Sequence, residues 1–272
     1  MSVGVDAYLE RIGYRGSRDP NLAVLHNLCE AHVRAIPFEN LDVLLQRPMP
    51  LELVALEDKL VRRRRGGYCF EHHTLLCAVL QTLGYDARIL AARARIGASR
   101  DEMAAPTHAF VGVDLDGETW LADVGIGRAS SSAALRFTLD EEQPTPHEPR
   151  RITRFGDDYM HEAKLGDRWE DVAQFSMRPM PRIDREVAHW YTSTHPDSTF
   201  RRSLMAARAA SDGGRVTLRN GRLQVRRGAD VAESQVDDGP GLQAVLLEHF
   251  DIELEDETAA SLAVRFAGPA GG

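Results

Sequence analysis

The spacing of apolar residues divides the chain into a helical first part and a strand-rich continuation. From Asp6 to about Leu83, apolar residues recur every three or four positions, which predicts helices, and prolines break the region into short pieces. After Gly84 the apolar period changes to two, which predicts strands. The period becomes helical again over Leu242 to Phe250, which predicts a terminal helix, and a frayed tail is expected over 267–272.

The clearest strand pair is a hairpin over residues 108–124, with Asp116-Gly117 as its two-residue turn. In this register, one face carries an entirely apolar set, namely Ala109, Val111, Val113, Trp120, Ala122 and Val124. The opposite face carries His108 and Asp123 as diagonal neighbours, within reach of each other's side chains. A slip of one residue would put the apolar set in water, which favours this register.

Four shorter segments add to this outline. Ile36 to Asp42 is apolar and proline-constrained, which predicts a buried connection. Arg62 to Arg65 is typical of a solvated helix end, where cations suit the helix dipole. Gly166-Asp167 and Asn220-Gly221 predict the turns of two further hairpins.

A cysteine lies at the start of the most regular helical pattern. Cys69 follows Gly66 and Gly67, and the apolar helical face comes directly after it: Phe70, Leu75, Leu76, Val79, Leu80 and Leu83. At a helix start, unpaired backbone N–H groups and the macrodipole favour a thiolate, the form that acts as a nucleophile. The glycines are expected to let the backbone turn sharply and to leave the sulfur uncrowded. The alternative is a small buried hydrophobe, which is the commoner use of a cysteine.

Length and cysteine content narrow the class of protein. The 272 residues suffice for one large domain or two to three small ones, and 43% apolar and 27% charged residues are ordinary for a globular protein. Three cysteines form an odd, sparse set, which argues against a disulfide framework and for a reducing compartment. The N-terminus lacks a signal pattern and no stretch reaches membrane-spanning length, so we expect a cytoplasmic protein without a membrane partner.

The charge distribution bears on possible partners. A net charge of −8 makes nonspecific nucleic-acid binding an unlikely function. Between Arg201 and Arg227, however, the sequence contains eight arginines and a single acidic residue, Asp212. From Asp230 to Glu257 it contains acidic residues but no lysine or arginine. Such a basic stretch either attracts a polyanionic small molecule or forms solvated faces that pair with the acids.

Three residues offer the parts of a nucleophilic triad. A catalytic thiol needs a base, and the base needs a third group to orient it. Cys69 at a helix start, with His108 and Asp123 together on one hairpin face, supplies all three. His72 and His73 are weaker candidates for the base, because neighbours on a helix point in different directions. No cysteine or histidine pair has zinc-ligand spacing, so we expect no metal site.

These residues lie in motifs that resemble the arylamine N-acetyltransferase family. The matching segments are Ile36–Leu41, Arg65–Glu71, Pro106–His108, Asp123–Gly127 and Tyr191–Pro196 with Phe200. The resemblance implies an α+β fold with a papain-like cysteine triad. It further implies a helical domain over 1–86 that carries the nucleophile and a β-barrel domain over 87–188 that carries histidine and aspartate. An interdomain helix and an α/β lid would follow over 189–272.

The resemblance also implies roles for particular residues. Acetyl-CoA would be a co-substrate and no cofactor would be tightly bound. An acetyl group would pass through an acetyl-cysteine on Cys69 to arylamines, hydrazines or arylhydroxylamines, with His108 as proton partner and Asp123 as orienting carboxylate. The acceptor pocket would be lined by Phe38, Tyr68, Ile126 and Phe200. Coenzyme A would lie near Thr107, Gly127, Thr194 and His195.

Two positions depart from the family pattern, and several questions stay open. The family usually has phenylalanine at Ile126 and commonly asparagine at His73, so we expect an altered pocket wall and an altered acceptor preference. The same triad would also serve a thiol hydrolase or a macrolactam-forming amide synthase, and a catalytically silent binding protein is a third alternative. His195 either lines a cleft or caps a turn. The protein is expected to be a monomer or a homodimer.

Overall fold

The computed structural model describes residues 3–266 and begins with a helical region. Its helices are α1 (Val5–Arg11), α2 (Leu22–Ala35), α3 (Leu41–Leu44), α4 (Leu53–Leu56), which continues into a π-helical segment (Glu57–Arg62), and α5 (Cys69–Thr82). One short strand, β1 (Phe38–Glu39), lies among them. The predicted connection around β1 is indeed buried, because Ile36, Phe38 and Leu41 are at most 9% exposed.

A seven-stranded sheet follows the helices. Its strands are β2 (Asp86–Ala94), β3 (His108–Leu115), β4 (Glu118–Ala122), β5 (Leu135–Arg136), β6 (Arg150–Phe155), β7 (Asp158–Leu165) and β8 (Arg168–Pro179). They run antiparallel in the order β5-β4-β3-β2-β8-β7-β6. The segment after β5 forms bridges from Leu139 and Gln143 to Ile152 and Arg150 of β6, which nearly closes the sheet into a barrel.

The last part of the chain combines helices with a second antiparallel sheet. Its elements are α6 (Arg182–Thr194), α7 (Thr199–Arg202), β9 (Met205–Ala209), β10 (Arg215–Arg219), β11 (Arg222–Arg227), β12 (Asp230–Gln235), α8 (Gly239–Phe250) and α9 (Asp256–Phe266). The sheet order is β1-β9-β10-β11-β12, so the early strand β1 is its first member. The helix predicted over Leu242–Phe250 is present as α8, but it is not the terminal helix because α9 follows it. The expected tail over 267–272 lies outside the described residues.

The hairpin register predicted from the sequence is confirmed. Leu115 pairs with Glu118, and the ladder continues through Val113 with Trp120 and Val111 with Ala122. The apolar face of this hairpin joins α5 in the largest core cluster. The turns at Gly166-Asp167 and Asn220-Gly221 are confirmed as well, by the pairs Leu165 with Arg168 and Arg219 with Arg222.

The glycines before α5 serve a different purpose from the one expected. Neither Gly66 nor Gly67 has a left-handed backbone conformation. Instead, a Cβ on Gly66 would overlap the carbonyl oxygen of Pro37, and a Cβ on Gly67 would lie 2.7 Å from Glu71 Oε2. The two glycines are required because the chain before β1 and the first turn of α5 come so close to them.

The side chains of Arg62, Arg63 and Arg64 are 57–60% exposed, as expected of a solvated helix end, but the expectation for Arg65 is corrected. Arg65 is not a solvated helix end, because its guanidinium is 11% exposed and donates to Glu39 Oε1 at 2.7 Å. In the stretch from Arg201 to Arg227, five arginines pair with carboxylates, which favours paired faces over a site for a polyanion. These pairs are Arg202–Asp197, Arg215–Glu148, Arg222–Glu233, Arg226–Glu148 and Arg227–Asp212.

Helices, a nearly closed barrel-like sheet and a C-terminal α/β region together confirm the predicted α+β fold class. No helix within residues 3–266 is long and apolar enough to cross a membrane. The domain limits of 1–86, 87–188 and 189–272 stay a prediction.

Candidate active site

Cys69 is the first residue of α5, and Tyr68 is the residue that precedes the helix. The backbone N–H of Tyr68 donates to Glu71 Oε2 at 3.0 Å, so the carboxylate three residues into the turn fixes the entry of the chain. The Cys69 side chain is 3% exposed, and its Sγ lies 3.6 Å from the carbonyl oxygen of Thr107. The sulfur is therefore held at the junction of α5 and the start of β3.

His108 and Asp123 form a buried pair beside this cysteine. His108 Nε2 lies 3.1 Å from each Asp123 carboxylate oxygen. Burial by itself would lower the pKa of His108, but the charge of Asp123, the hydrogen bond to it and contact with Cys69 raise this pKa to about 10. The pKa of Asp123 is held well below its usual range, because the interactions with His108 and His73 outweigh the opposing effect of burial. An imidazolium next to a carboxylate is thus the stable form at neutral pH.

Two further imidazoles face the same carboxylate. His73 Nε2 lies 3.4 Å from Asp123 Oδ1, and His161 Nδ1 lies 3.9 Å from Asp123 Oδ2. Burial is the main cause that lowers the pKa of His73, and it also lowers the pKa of His161 to about 3. Both rings are therefore neutral at neutral pH, and His108 is the charged partner of Asp123. The sequence predicted that His73 is not the base, but it gave no sign of either contact.

Gly125 brings the aspartate loop against the nucleophile helix. A Cβ at this position would lie 2.9 Å from His72 Cβ, 2.9 Å from His73 Cε1 and 3.1 Å from Cys69 Cα. The two distances of 2.9 Å are shorter than side-chain packing allows, and the third is tighter than most packing contacts. Gly125 was not among the candidate site residues, although its place in Asp123–Gly127 was a signal that could have identified it.

Aromatic rings form one wall next to Cys69. The Phe200 ring centroid lies 6.0 Å from that of Phe38 and 5.2 Å from that of Tyr68. Phe38 also faces Gly127, where an added Cβ would lie 3.2 Å from the ring. Tyr68 is fully buried, and its hydroxyl bonds His189 Nδ1 of α6 at 2.5 Å. The structure therefore brings Phe38, Phe200 and Gly127 together, and the buried Tyr68 ring packs against Phe200.

An ion cluster behind the nucleophile was missed by sequence reasoning. Lys59 Nζ lies 2.7 Å from both Glu71 Oε1 and Asp42 Oδ2, and all three side chains are at most 10% exposed. Burial would lower the pKa of Lys59, but the carboxylates of Glu71, Glu39 and Asp42 outweigh it and hold this pKa well above its usual value, so the ammonium stays charged. Glu71 was recognisable as a capping residue at the third position of a helix. Its pairing with Lys59 joins α5 to the π-helical segment, and no local pattern reports it.

The comparisons with known proteins agree with this geometry. A sequence model of the N-acetyltransferase family matches residues 21–259. An arylamine N-acetyltransferase of Mycobacterium tuberculosis is 41% identical over 260 residues, covering 94% of this chain and 92% of the relative. The chain belongs to the arylamine N-acetyltransferase family.

Solved structures of the family superpose closely. The arylamine N-acetyltransferase of Mycobacterium marinum is 37% identical, with a TM-score of 0.93, and the match covers 97% of this chain and 99% of that one. A second structure of that enzyme, in complex with CoA, has a TM-score of 0.92 at the same identity and coverage. The predicted resemblance is confirmed across nearly the whole chain.

Ile126, which departs from the predicted family pattern, packs against the barrel-like sheet. It is 8% exposed and belongs to a small cluster with Ala163, Val172 and Ala173 of the barrel-like sheet. The cluster does not contain Phe38 or Phe200. The expected place of Ile126 in the acceptor pocket stays a prediction.

The residues expected near coenzyme A lie on three separate elements. Thr107 precedes β3 and offers its carbonyl oxygen to Cys69. Thr194 ends α6, with its hydroxyl donating to the Trp190 carbonyl, and His195 caps that helix with its ring stacked on Tyr191 at 4.5 Å. His195 thus lies at a helix end, and its contact with coenzyme A stays a prediction. Residues 3–266 contain no group of three or more potential ligands able to hold a metal ion.

Proposed function

We propose that this protein transfers an acetyl group from acetyl-CoA to arylamines, arylhydrazines or arylhydroxylamines through an acetyl-cysteine on Cys69. The observation that carries the proposal is the His108–Asp123 pair, with His108 Nε2 3.1 Å from both carboxylate oxygens, next to a cysteine at a helix start. Because Asp123 occupies Nε2, the other ring nitrogen of His108 is the one available to Cys69.

In the first half-reaction, the Cys69 thiolate attacks the thioester carbonyl of acetyl-CoA. The C–S bond to coenzyme A breaks, the acetyl group stays on the Cys69 sulfur, and the His108 imidazolium gives its proton to the departing coenzyme A sulfur. Backbone N–H groups at the start of α5 point toward the site and suit the oxyanion that forms. Burial of Cys69 keeps water from the intermediate.

In the second half-reaction, the amine attacks the acetyl-cysteine carbonyl. Neutral His108 takes the proton that the amine loses, and the Cys69 thiolate leaves as the amide forms. Proton and charge then return to the starting state, with imidazolium and thiolate side by side. Asp123 acts in both halves, because it fixes the ring orientation and stabilises the charged imidazole.

The aromatic wall suits a flat acceptor. Phe38 and Phe200 present ring surfaces against which an aryl group stacks, with Tyr68 and its His189 hydrogen bond holding Phe200 in place. Coenzyme A would approach along Thr107, Gly127 and the end of α6 near Thr194 and His195. The CoA complex of the M. marinum relative supports this class of co-substrate.

The cellular setting is part of the proposal. Cys29, Cys69 and Cys77 are all unpaired thiols, which suits a reducing compartment, so we place the protein in the cytoplasm. We further propose that it is a monomer or a homodimer. The charge of −8 supports small-molecule partners over nucleic acid.

Release of coenzyme A without an amine tests the proposal. Acetyl-CoA mixed with the protein should release one equivalent of coenzyme A in a burst, and Cys69→Ala should release none. Adding an arylamine should then restart release far faster than water does. Steady hydrolysis that an arylamine does not accelerate would favour a thiol hydrolase, and no burst in the folded protein would refute acetyl transfer through Cys69.

A further inference from the structure

Arg150 determines which ring nitrogen of His161 carries the proton. Arg150 is fully buried, and its Nη1 lies 3.2 Å from His161 Nε2. Burial lowers the pKa of Arg150 only to about 10, so the guanidinium is charged at neutral pH and every one of its N–H groups is a donor. His161 Nε2 must therefore be the acceptor. A neutral His161 ring then carries its hydrogen on Nδ1, the less common tautomer.

That Nδ1 faces the catalytic carboxylate. It lies 3.9 Å from Asp123 Oδ2, the oxygen on the side opposite His73. We propose that His161, locked by Arg150 in the Nδ1–H tautomer, is a positioning residue that presents a fixed dipole to Asp123 and keeps this carboxylate aimed at His108. The proposal rests on the function proposed above, since it assigns Asp123 its orienting role.

Several hydrogen bonds hold the Arg150 side chain in the position from which it fixes the tautomer of His161. Its Nη1 also donates to the Ala129 carbonyl at 2.8 Å, and its Nη2 donates to Glu148 Oε2 at 3.0 Å. Glu148 is held in turn by Arg215 of β10, whose Nε and Nη2 each lie 2.7 Å from a carboxylate oxygen. The C-terminal sheet thus anchors Arg150, and Arg150 orients His161.

His161 suits a positioning role better than a proton-transfer role. Its neighbours with charge are Arg150, Asp123 and His108, and burial next to Arg150 keeps the ring neutral at every pH at which the enzyme would work. It therefore cannot compete with His108 for the catalytic proton. What it contributes is an N–H dipole that favours the ionised form of Asp123 in one orientation.

Nuclear magnetic resonance on the unmodified protein tests the tautomer directly. With histidine ring nitrogens isotope-labelled, the signals that disappear in His161→Asn identify this ring. We expect a neutral Nδ1–H pattern that stays unchanged between about pH 6 and 8. An Nε2–H pattern or a ring that titrates in this range would overturn the proposal. This result requires neither acetyl-CoA nor turnover, so it is independent of whether Cys69 carries an acetyl group.

Two substitutions separate positioning from packing. An asparagine at position 161 would place its amide group where Nδ1 of the histidine ring lies. A glutamine at the same position would place its amide group where Nε2 lies. His161→Gln should keep the Arg150 contact, lose the donor to Asp123 and slow alkylation of Cys69 by iodoacetamide at neutral pH by about 3- to 10-fold. His161→Asn should retain most of the rate, and the surface variant His249→Gln serves as a control.

The pattern of the two rates decides the outcome. Equal losses in His161→Asn and His161→Gln, or no loss in a folded His161→Gln protein, would overturn the positioning role. Thermal unfolding of each variant reports whether it is folded. If neither variant folds, the ring of His161 is assigned in the unmodified protein through its bonded carbon and backbone signals, and its tautomer decides the question.

Discussion

At the residue scale, the Asp123 carboxylate keeps the His108 imidazole charged. This charge raises the pKa of His108 to about 10, and a charged imidazole next to Cys69 favours the thiolate. Asp123→Asn removes the charge while it retains the shape. A free thiol with a pKa near 8.5 is only about 3% ionised at neutral pH, so we expect iodoacetamide to alkylate Cys69 about 30-fold more slowly in this variant.

The pH dependence of alkylation is the check on that expectation. In the unmodified protein, the rate should change little as the pH falls from about 8 to 6, because the His108 imidazole stays charged over this range. In Asp123→Asn it should fall with pH as it does for a simple thiol. Equal rates and equal profiles in the two proteins would contradict the role given to Asp123.

Gly125 sets the distance between the aspartate loop and the nucleophile helix. Gly125→Ala would put a methyl group 2.9 Å from His72 Cβ and 3.1 Å from Cys69 Cα, so we expect a loss of about 2 kcal/mol in the free energy of unfolding, with slower alkylation of Cys69. The matched control is Gly97→Ala. Gly97 has a φ of +76° and no atom within 4 Å of an added Cβ, so this variant should lose about 1 kcal/mol through backbone strain alone.

Denaturant unfolding and the alkylation rate together test this contrast. Gly97→Ala should leave the reactivity of Cys69 unchanged, because the exposed turn is remote from the pair of His108 and Asp123. If Gly125→Ala is as stable and as reactive as the unmodified protein, the close approach is not required.

At the element scale, Glu148 joins the barrel-like sheet to the C-terminal sheet. Its carboxylate accepts hydrogen bonds from three arginines, namely Arg150 of β6, Arg215 of β10 and Arg226 of β11. Burial would raise the pKa of Glu148, but the hydrogen bonds and charges of these arginines outweigh it and hold the pKa well below its ordinary value. Three cations share one buried carboxylate, so its loss leaves buried charges without a partner.

Glu148→Gln should therefore lower the free energy of unfolding by about 3 kcal/mol at neutral pH. Because the folded pKa of Glu148 is depressed, its contribution is complete above the unfolded value near 4.5 and declines as the pH falls below it. The stability difference between the variant and the unmodified protein should narrow in acid. Denaturant unfolding at several pH values measures this.

A surface variant provides the comparison. Glu233 pairs with Arg222 in an exposed position, and Glu233→Gln should leave stability unchanged within error at each pH. A difference for Glu148→Gln that stays constant from neutral to acidic pH would show that its cost is steric and not ionic.

At the scale of the whole molecule, local signals in the sequence predicted the parts of the site that are close in sequence. The Asp116-Gly117 turn fixed the pairing of β3 with β4 and hence the adjacency of His108 and Asp123. Helical spacing after Cys69 predicted the start of α5. Both inferences depend on periods and turn chemistry within about 20 residues, where the sequence carries enough information.

Contacts that depend on tertiary packing were beyond such signals, even where the two residues are close in the sequence. Arg65 with Glu39, Lys59 with Glu71 and Arg215 with Glu148 depend on how helices and sheets pack, and charged residues were expected at the surface. Ile126 packs with Ala163, Val172 and Ala173 of the barrel-like sheet, and its motif gave no sign of this contact.

Only one of the three cysteines of the molecule is expected to carry the acetyl group. Mass spectrometry measures the acetylation of each cysteine most directly. The protein is incubated with acetyl-CoA in the absence of any amine, digested, and the peptide that contains Cys69 is examined beside those of Cys29 and Cys77. The account predicts one acetyl group on Cys69 alone, removed when an arylamine is added. An unmodified Cys69 in folded protein, or acetylation spread over all three cysteines, would contradict it.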